Sequence, residues 1–388
     1  MKEVQKLQNM EIYSLKQTRT INKLRVLNTI RFEPGITRNM ISEKTGLDPS
    51  TVTKLVNEMK RKKMIYEKGI LPSKLGRHSK RLYVNKEFSK AIVVDLGVTH
   101  SLVGLSFFDG SVEVIDEFDT PDTPEECFRV LTERVSRFPG VFPLIVIGVP
   151  GSVDKTHKKL AFAPNLNRWR DVDVEKYFKV FEVYLENDAN LAALAETMKN
   201  KHFGDRKNIV YILVREGIGG GIIIEGRLYK GSFNAAGEIG HMKMYDRGPC
   251  FCGRVGCWEA NTSISHCVHQ YEKEKALPGK TMYEKFEALC SLYEKDDLAK
   301  KILDEFTTIL IDGIVNLVNI LSPEIVIVGG EGVFLPDSVF EKIVSETKRQ
   351  VHPMNKEVSV EKGSLSNKEV VLVGTSILSS MMISERLV

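Results

Sequence analysis

Two stretches of this chain begin alike, and few folds accommodate the repetition. Residues 91–119 read AIVVDLGVTHSLVGLSFFDGSVEVIDEFD. This is an apolar strand, a glycine turn, a second strand, an Asp-Gly hairpin and a third strand. Residues 209–231, IVYILVREGIGGGIIIEGRLYKG, follow the same plan: strand, glycine-rich turn, strand, Glu-Gly hairpin, strand. The second start comes 118 residues after the first, with helical segments between, which predicts two α/β lobes of similar build with a cleft between them. Further apolar strands are expected at Leu144–Val149, Glu324–Val328 and Glu369–Val373, each running into glycine. Glycine at a strand end beside a cleft lets a phosphate or a sugar approach the backbone, although any left-handed position would select it too.

The residues ahead of this body differ from it in charge. Residues 1–85 hold 19 Lys and Arg against seven Asp and Glu, a net of +12; the remainder holds 36 against 44, a net of −8. A basic segment on an acidic body fits a nucleic-acid-binding arm on a globular sensor, and it also fits a solvated basic face. Spacing sharpens the choice. Ile21, Leu24, Val26, Leu27 and Ile30 recur as on a helix over Thr20–Phe32, and Pro34-Gly35 stops it. Thr37 can cap a second helix, with Met40 and Ile41 inward, ending near Gly46. Asp48 as cap and Pro49 at the first turn start a third, whose Val52, Leu55, Val56 and Met59 face inward. Ser50, Thr51, Thr53, Lys54 and Asn57 are left outside, a polar face suited to base edges and phosphates in a major groove. Arg38, Arg61, Arg77 and Lys80 join them as candidate DNA contacts. Residues 64–67 and 81–84 read as a two-stranded wing whose tip, 75–80, is basic and contains glycine. A small helical protein-interaction domain would share the helix spacing; the Asp-Pro start and the basic wing favour DNA.

Three of the six cysteines crowd together. His241, Cys250, Cys252 and Cys257 offer one imidazole and three thiols within 17 residues, enough to fill a tetrahedral zinc shell with no position left for water. Such a site is structural. A redox pair at Cys250 and Cys252 is the alternative. No stretch approaches the roughly 20 apolar residues of a membrane span, and MKEVQKLQNMEIYSL is too polar for a signal peptide. The expectation is a cytoplasmic protein without membrane partners.

GVPGSVD (148–154), APNL (163–166), ENDANLAALAE (186–196), GEIGHM (237–242) and CFCGRVGCWEA (250–260) together resemble the ROK family of repressors, open reading frames and kinases. The likeness covers essentially the whole chain, and the basic N-terminal segment resembles the repressor branch. It implies an α/β fold class: a winged helix-turn-helix at 1–87, then a two-lobed actin-like, hexokinase-like (ribonuclease H-like) ATPase fold. The lobes are expected at 88–200 and 201–388, with the C-terminal helix returning to the first. It implies a sugar site at Asn165, Asn187, Asp188, Glu238, His241 and Glu259, with Asp188 the general base in the family's kinases. Taken alone, Asp188 reads as the N-cap of a helix over 189–197. Zinc would tie together the loops bearing Glu238 and Glu259.

The nucleotide positions of the family's kinases correspond here to Asp95, Gly97, Thr99, Gly217, Gly219, Gly329 and Gly330, and two of their motifs are altered. Val98 stands where a second glycine is usual, and Glu216 where a small hydroxyl residue is usual. Like charges ~4 Å apart cost about 4 kcal/mol at an effective dielectric near 20, so Glu216 would repel a polyphosphate, with Arg215 a partial offset. ATP and Mg²⁺ are therefore not expected as cofactors. The expectation is a sugar-responsive repressor of carbohydrate-utilisation genes, binding operator DNA as a homodimer or homotetramer. An ATP-dependent sugar kinase with a DNA-binding appendage is the alternative, and a body serving only oligomerisation a third.

Overall fold

A computed structural model describes residues 15–71, 79–138, 140, 142–163, 165–166, 168–365 and 369–388. The chain divides into two compact units. One contains the described residues up to Lys90 together with Phe107–Ser111 and Ser379–Val388; the other contains Ala91–Ser106 and Val112–Leu378.

The first unit begins with helices α1 (Leu15–Phe32), α2 (Arg38–Thr45) and α3 (Pro49–Arg61), followed by the antiparallel strands β1 (Ile65–Leu71) and β2 (Ser79–Val84). The caps are those the sequence predicts. Thr37 accepts from the Met40 amide, Gly46 closes α2 at φ +66°, and the Asp48 carboxylate accepts from the Ser50 amide at 2.7 Å. Val52, Leu55, Val56 and Met59 are buried, as are Val26, Leu27 and Ile30 of α1 and Ile41 of α2, and the three helices pack on one another. Met40 is not inward: it is 38% exposed, because one residue along a helix turns the side chain by about 100° and Ile41 takes the core position. Within this unit the buried Arg31 guanidinium donates to the Phe108 carbonyl (3.1 Å) and the Ser384 hydroxyl (2.7 Å).

The second unit holds two five-stranded sheets. Strands β3 (Lys90–Asp95), β4 (His100–Phe107), β5 (Val112–Asp119), β6 (Leu144–Val149) and β10 (Glu182–Asn187) lie in the order β10-β6-β3-β4-β5. Helix α4 (Pro124–Val135) follows β5, and β7 (Ser152–Val153), β8 (Lys159–Phe162) and β9 (Arg170–Asp173) form a small sheet between β6 and β10. Helices α5 (Asp188–Lys199) and α6 (Lys201–Gly204) lead to the second sheet. Its strands are β11 (Ile209–Val214), β12 (Ile218–Ile224), β13 (Arg227–Leu228), β14 (Ile325–Gly330) and β15 (Ser359–Lys362), ordered β13-β12-β11-β14-β15. Helices α7 (Glu259–Thr262), α8 (Ile264–Glu272), α9 (Met282–Ser291) and α10 (Asp297–Leu321) precede β14, and α11 (Asp337–Gln350) follows it. In each sheet an antiparallel hairpin is joined to parallel strands, so the duplicated pattern of the sequence is a duplicated topology.

Two expectations are corrected. Glu369–Val373 is not a strand: Val370–Leu387 is helix α12. A short apolar run reads equally as a strand or a buried helix, and here small hydroxyl residues continue it. Thr375 and Ser384 donate back to the carbonyls of Val371 and Ser380 at 2.7 Å, and Ser376, Ser379 and Ser380 are fully buried. This helix is also long and apolar enough to resemble a membrane span, contrary to the reading above, but 61% of it is buried in the protein. Second, Gly219–Gly221 do not form a turn. They lie inside β12, paired with Leu213, Ile212 and Tyr211. A β-carbon at Gly221 would stand 2.4 Å from that of Ala193, and one at Gly219 2.8 Å from that of Ala189. The glycines let α5 pack directly on the strand.

Candidate functional site

In the first unit, Ser50, Thr53, Lys54, Asn57 and Arg61 are exposed along α3 and Thr51 is half-buried. Lys80 is exposed on β2, and Arg77 lies outside the described residues. Sequence reading missed Glu67 of β1. Its carboxylate gathers Arg38 (2.7 Å), Lys60 (2.7 Å) and Lys80 (3.3 Å), while Arg38 also reaches Asn57 at 3.4 Å. Partial burial would raise the Glu67 pKa, but the hydrogen bonds from Lys60 and Arg38 outweigh it and hold it at about 2. One anion thus sets the positions of cations from α2, α3 and the wing.

In the second unit, four turns converge. The β10–α5 junction presents Asn187 and Asp188; the β6–β7 turn presents Gly151 and Ser152; Glu238 precedes a single 3₁₀ turn that ends on His241; Glu259 opens α7. With Asn165, these residues, Ser152 excepted, line a recess of about 60 Å³. Asn187, not Asp188, is the N-cap: its side-chain oxygen accepts from the amides of Ala189 (3.0 Å) and Asn190 (3.1 Å), and its amide nitrogen donates to the Gly151 carbonyl (3.2 Å). That leaves Asn187 a single N–H for a ligand. Glu186 supports the junction, buried in an ion pair with Lys230 and accepting from the Asn187 amide and the Asn190 side chain.

Glu238 accepts from the Ser152 hydroxyl at 2.5 Å, and its other oxygen lies 3.9 Å from His241 Nε2. Ser152 was not singled out from the sequence, although it sits within GVPGSVD. The opposite face of the ring, Nδ1, lies 3.2 Å from Glu259 and 3.6 Å from Cys250 Sγ. Ligand atoms of His241, Cys250, Cys252 and Cys257 all lie within 4.8 Å of one another. A tetrahedral zinc with bonds of about 2.3 Å to sulfur needs donors at such separations, so the four residues fit that ion. The loop is tight: a β-carbon at Gly256, φ +88°, would stand 1.6 Å from the Tyr245 carbonyl oxygen. The indole of Trp258, fully buried, donates to the Ile309 carbonyl at 3.0 Å and anchors Glu259 beside the cluster.

Behind the recess lies a buried set of charges. Arg215 faces Asp95 at 3.4 Å, and the Tyr283 hydroxyl donates to Glu216. Burial opposes the Arg215 charge, yet Asp95 and its acidic neighbours hold its pKa above the ordinary value. Asp188 is shifted upward to about 7, first by burial and then by the nearby charges of Asp95 and Glu216, against the pull of Arg215. Gly97 and Gly219 line the recess, as does Gly217, where an added β-carbon would lie 2.7 Å from Glu259 Oε2 and 3.1 Å from Asn165 Nδ2. Thr99 lines a second cavity of about 810 Å³ that shares Val98, Asn165, Glu216 and Glu259 with the recess. Gly329 and Gly330 line neither cavity. A β-carbon at Gly329 would lie 1.9 Å from the Tyr211 hydroxyl, and Gly330 takes φ +61°.

The pattern of the ROK family matches residues 91–380, and that of the MarR family matches residues 18–69. The xylose repressor of Bacillus spizizenii is 31% identical over 361 residues, covering 89% of this chain and 91% of its own. The crystal structure of a ROK family transcriptional regulator, a homologue of the E. coli MLC protein, superposes with a TM-score of 0.75 at 21% identity, over 95% of this chain and 98% of that one. A ROK family glucokinase from Streptomyces griseus in complex with glucose and AMPPNP superposes with a TM-score of 0.65 at 26% identity, over 75% of this chain and 99% of its own. The expected architecture, a winged helix-turn-helix ahead of a hexokinase-like body, is the one found.

Proposed function

The chain belongs to the ROK family, and from that membership we propose that it is a sugar-responsive repressor that binds operator DNA in the cytoplasm. The observation that carries this reading is a pairing within one chain. A helix-turn-helix with an exposed polar recognition face precedes a body whose recess gathers carboxylates, two amides and an imidazole. Helix α3, with Lys54 and Asn57 outermost, enters the major groove, while Arg61 and Lys80 neutralise phosphates. Asn165, Asp188, Glu238, His241 and Glu259 take the hydroxyls of a sugar, and Asn187 contributes its remaining N–H. Carboxylates and amides suit vicinal hydroxyls because each can make paired hydrogen bonds, and a sugar lacking one hydroxyl leaves a buried partner unmet.

His241, Cys250, Cys252 and Cys257 would hold zinc, which would supply a rigid cross-link between the loops bearing Glu238 and Glu259. The protein acts as a homodimer or homotetramer, since helix-turn-helix proteins read half-sites about one helical turn apart. The body has no phosphotransfer activity in this reading. Glu216, buried beside Arg215 and Asp95, puts an acid where a polyphosphate would lie, and Val98 narrows the preceding turn.

The test is fluorescence anisotropy of duplexes that the protein selects from a randomised pool, with sugars titrated in. A tenfold change in DNA affinity corresponds to about 1.4 kcal/mol of coupling, and DNA must then change sugar affinity by the same factor. DNA affinity indifferent to every sugar refutes the reading. One observation favours a kinase instead: the Asp188 pKa of about 7 is that of a general base poised to take a hydroxyl proton. Sugar-dependent release of ADP from ATP decides between them.

A further inference from the structure

The size of the two cavities bears on what the ligand is. The recess lined by Asp188 and Glu238 measures about 60 Å³, on the order of two waters' share of liquid volume. A sugar seated there places its hydroxyls in the recess and extends beyond it. The adjoining cavity measures about 810 Å³, within the roughly 300–1,000 Å³ typical of sites that enclose drug-sized molecules. Asn165 and Glu259 stand at the junction, in the walls of both. A ligand held by these two residues therefore continues into the larger space.

The walls of that space include polar groups that suit a sugar ring. His266, His269 and Gln270 of α8 present donors and acceptors to it. Facing the same cavity is Phe251, 72% exposed although it is a large apolar side chain. Its neighbours in sequence, Cys250 and Cys252, belong to the His/Cys cluster, so the ring is carried on a tightly folded loop. An aromatic face left largely in water beside a cavity lined by both polar and apolar side chains is open to stacking, and the C–H face of a sugar ring is a partner for it. The positions that correspond to nucleotide contacts do not explain the cavity, because of that group only Thr99 lines it.

We propose that the effector is a disaccharide or longer glycan, with one ring seated against Asn165 and Glu259 and the next lying on the Phe251 ring in the larger cavity. The proposal rests on the sugar-responsive reading above and deepens it. It is tested on the full-length protein by isothermal titration calorimetry with xylose, xylobiose, glucose, cellobiose and maltose. At least one disaccharide binds tenfold or more tightly than its monomer. Phe251→Ala weakens that disaccharide about tenfold and changes monomer affinity less than twofold. Because Phe251 lies between two cysteines, metal content is measured in parallel, and His269→Ala, away from that loop, supplies a second variant expected to act selectively on the disaccharide. If monomers bind as tightly as disaccharides and both variants are indifferent, this inference fails while the sugar-responsive reading stands. If no sugar in the panel binds, both fail.

Discussion

Gly217→Ala is the smallest change that should separate sugar sensing from DNA binding. Gly217 does not occupy the left-handed region, so alanine meets no backbone penalty there. The added methyl meets Glu259 Oε2 at 2.7 Å, where ordinary contact begins near 3.4 Å, so the carboxylate must retreat by about 0.7 Å. Glu259 cannot swing freely, because its other oxygen is packed 3.0 Å from Cys250 Sγ and 3.2 Å from His241 Nδ1. Overpacking of this kind costs about 1–3 kcal/mol, which a domain with ~5–15 kcal/mol of stability survives. Loss of a charged hydrogen-bonding partner costs the ligand about 1.5–3 kcal/mol, or roughly 10- to 150-fold in affinity. Titrating sugar into the protein–DNA complex by anisotropy should show unchanged DNA affinity and a response displaced to at least tenfold higher sugar. An unchanged sugar response would refute the placing of Glu259 and Asn165 in the ligand's path.

Other outcomes follow from the same geometry. Lys54→Ala should weaken operator binding and reduce the slope of log affinity against log salt by about one, with sugar affinity unaltered; an unchanged slope would remove Lys54 from the DNA interface. Cys252→Ser should release bound zinc and lower the melting temperature, whereas a variant as stable as the parent, with or without chelator, would defeat the structural role of the metal. Asp188 bears on pH. Its folded-state pKa of about 7 lies above the ordinary carboxylate value. Between about pH 4 and 7 the folded chain therefore holds a proton that the unfolded chain has released, and stability falls as pH rises through that window. Asp188→Asn should flatten this decline by up to ~1.4 kcal/mol per pH unit. Part of the slope should persist, because burial raises Asp95 and Glu216 as well. An identical profile in denaturant melts from pH 4 to 8 would show that Asp188 is not buried as described.

What was legible in the sequence was whatever depends on neighbours along the chain. The Thr37 and Asp48 caps, the inward stripe of α3, the twofold strand–turn–strand plan and the His241–Cys257 spacing each state a local backbone period or a local donor set. Those follow from covalent geometry and short loops. The tertiary structure decided what depends on residues far apart in sequence. Glycines 219–221 looked like a turn, and lie inside β12, where Gly219 and Gly221 make room for Ala189 and Ala193. Asn187 looked like a ligand, and most of its hydrogen-bonding capacity is spent on Gly151 and the start of α5. Glu67 carried no signal, and Ser152 only its place within GVPGSVD, because their importance lies in partners brought from other elements. Residues 369–373 read equally as strand or helix until a buried environment selected one. A side chain's type is written in the sequence, but whether its hydrogen bonds and its surface are free for a ligand depends on what the folded chain packs against it.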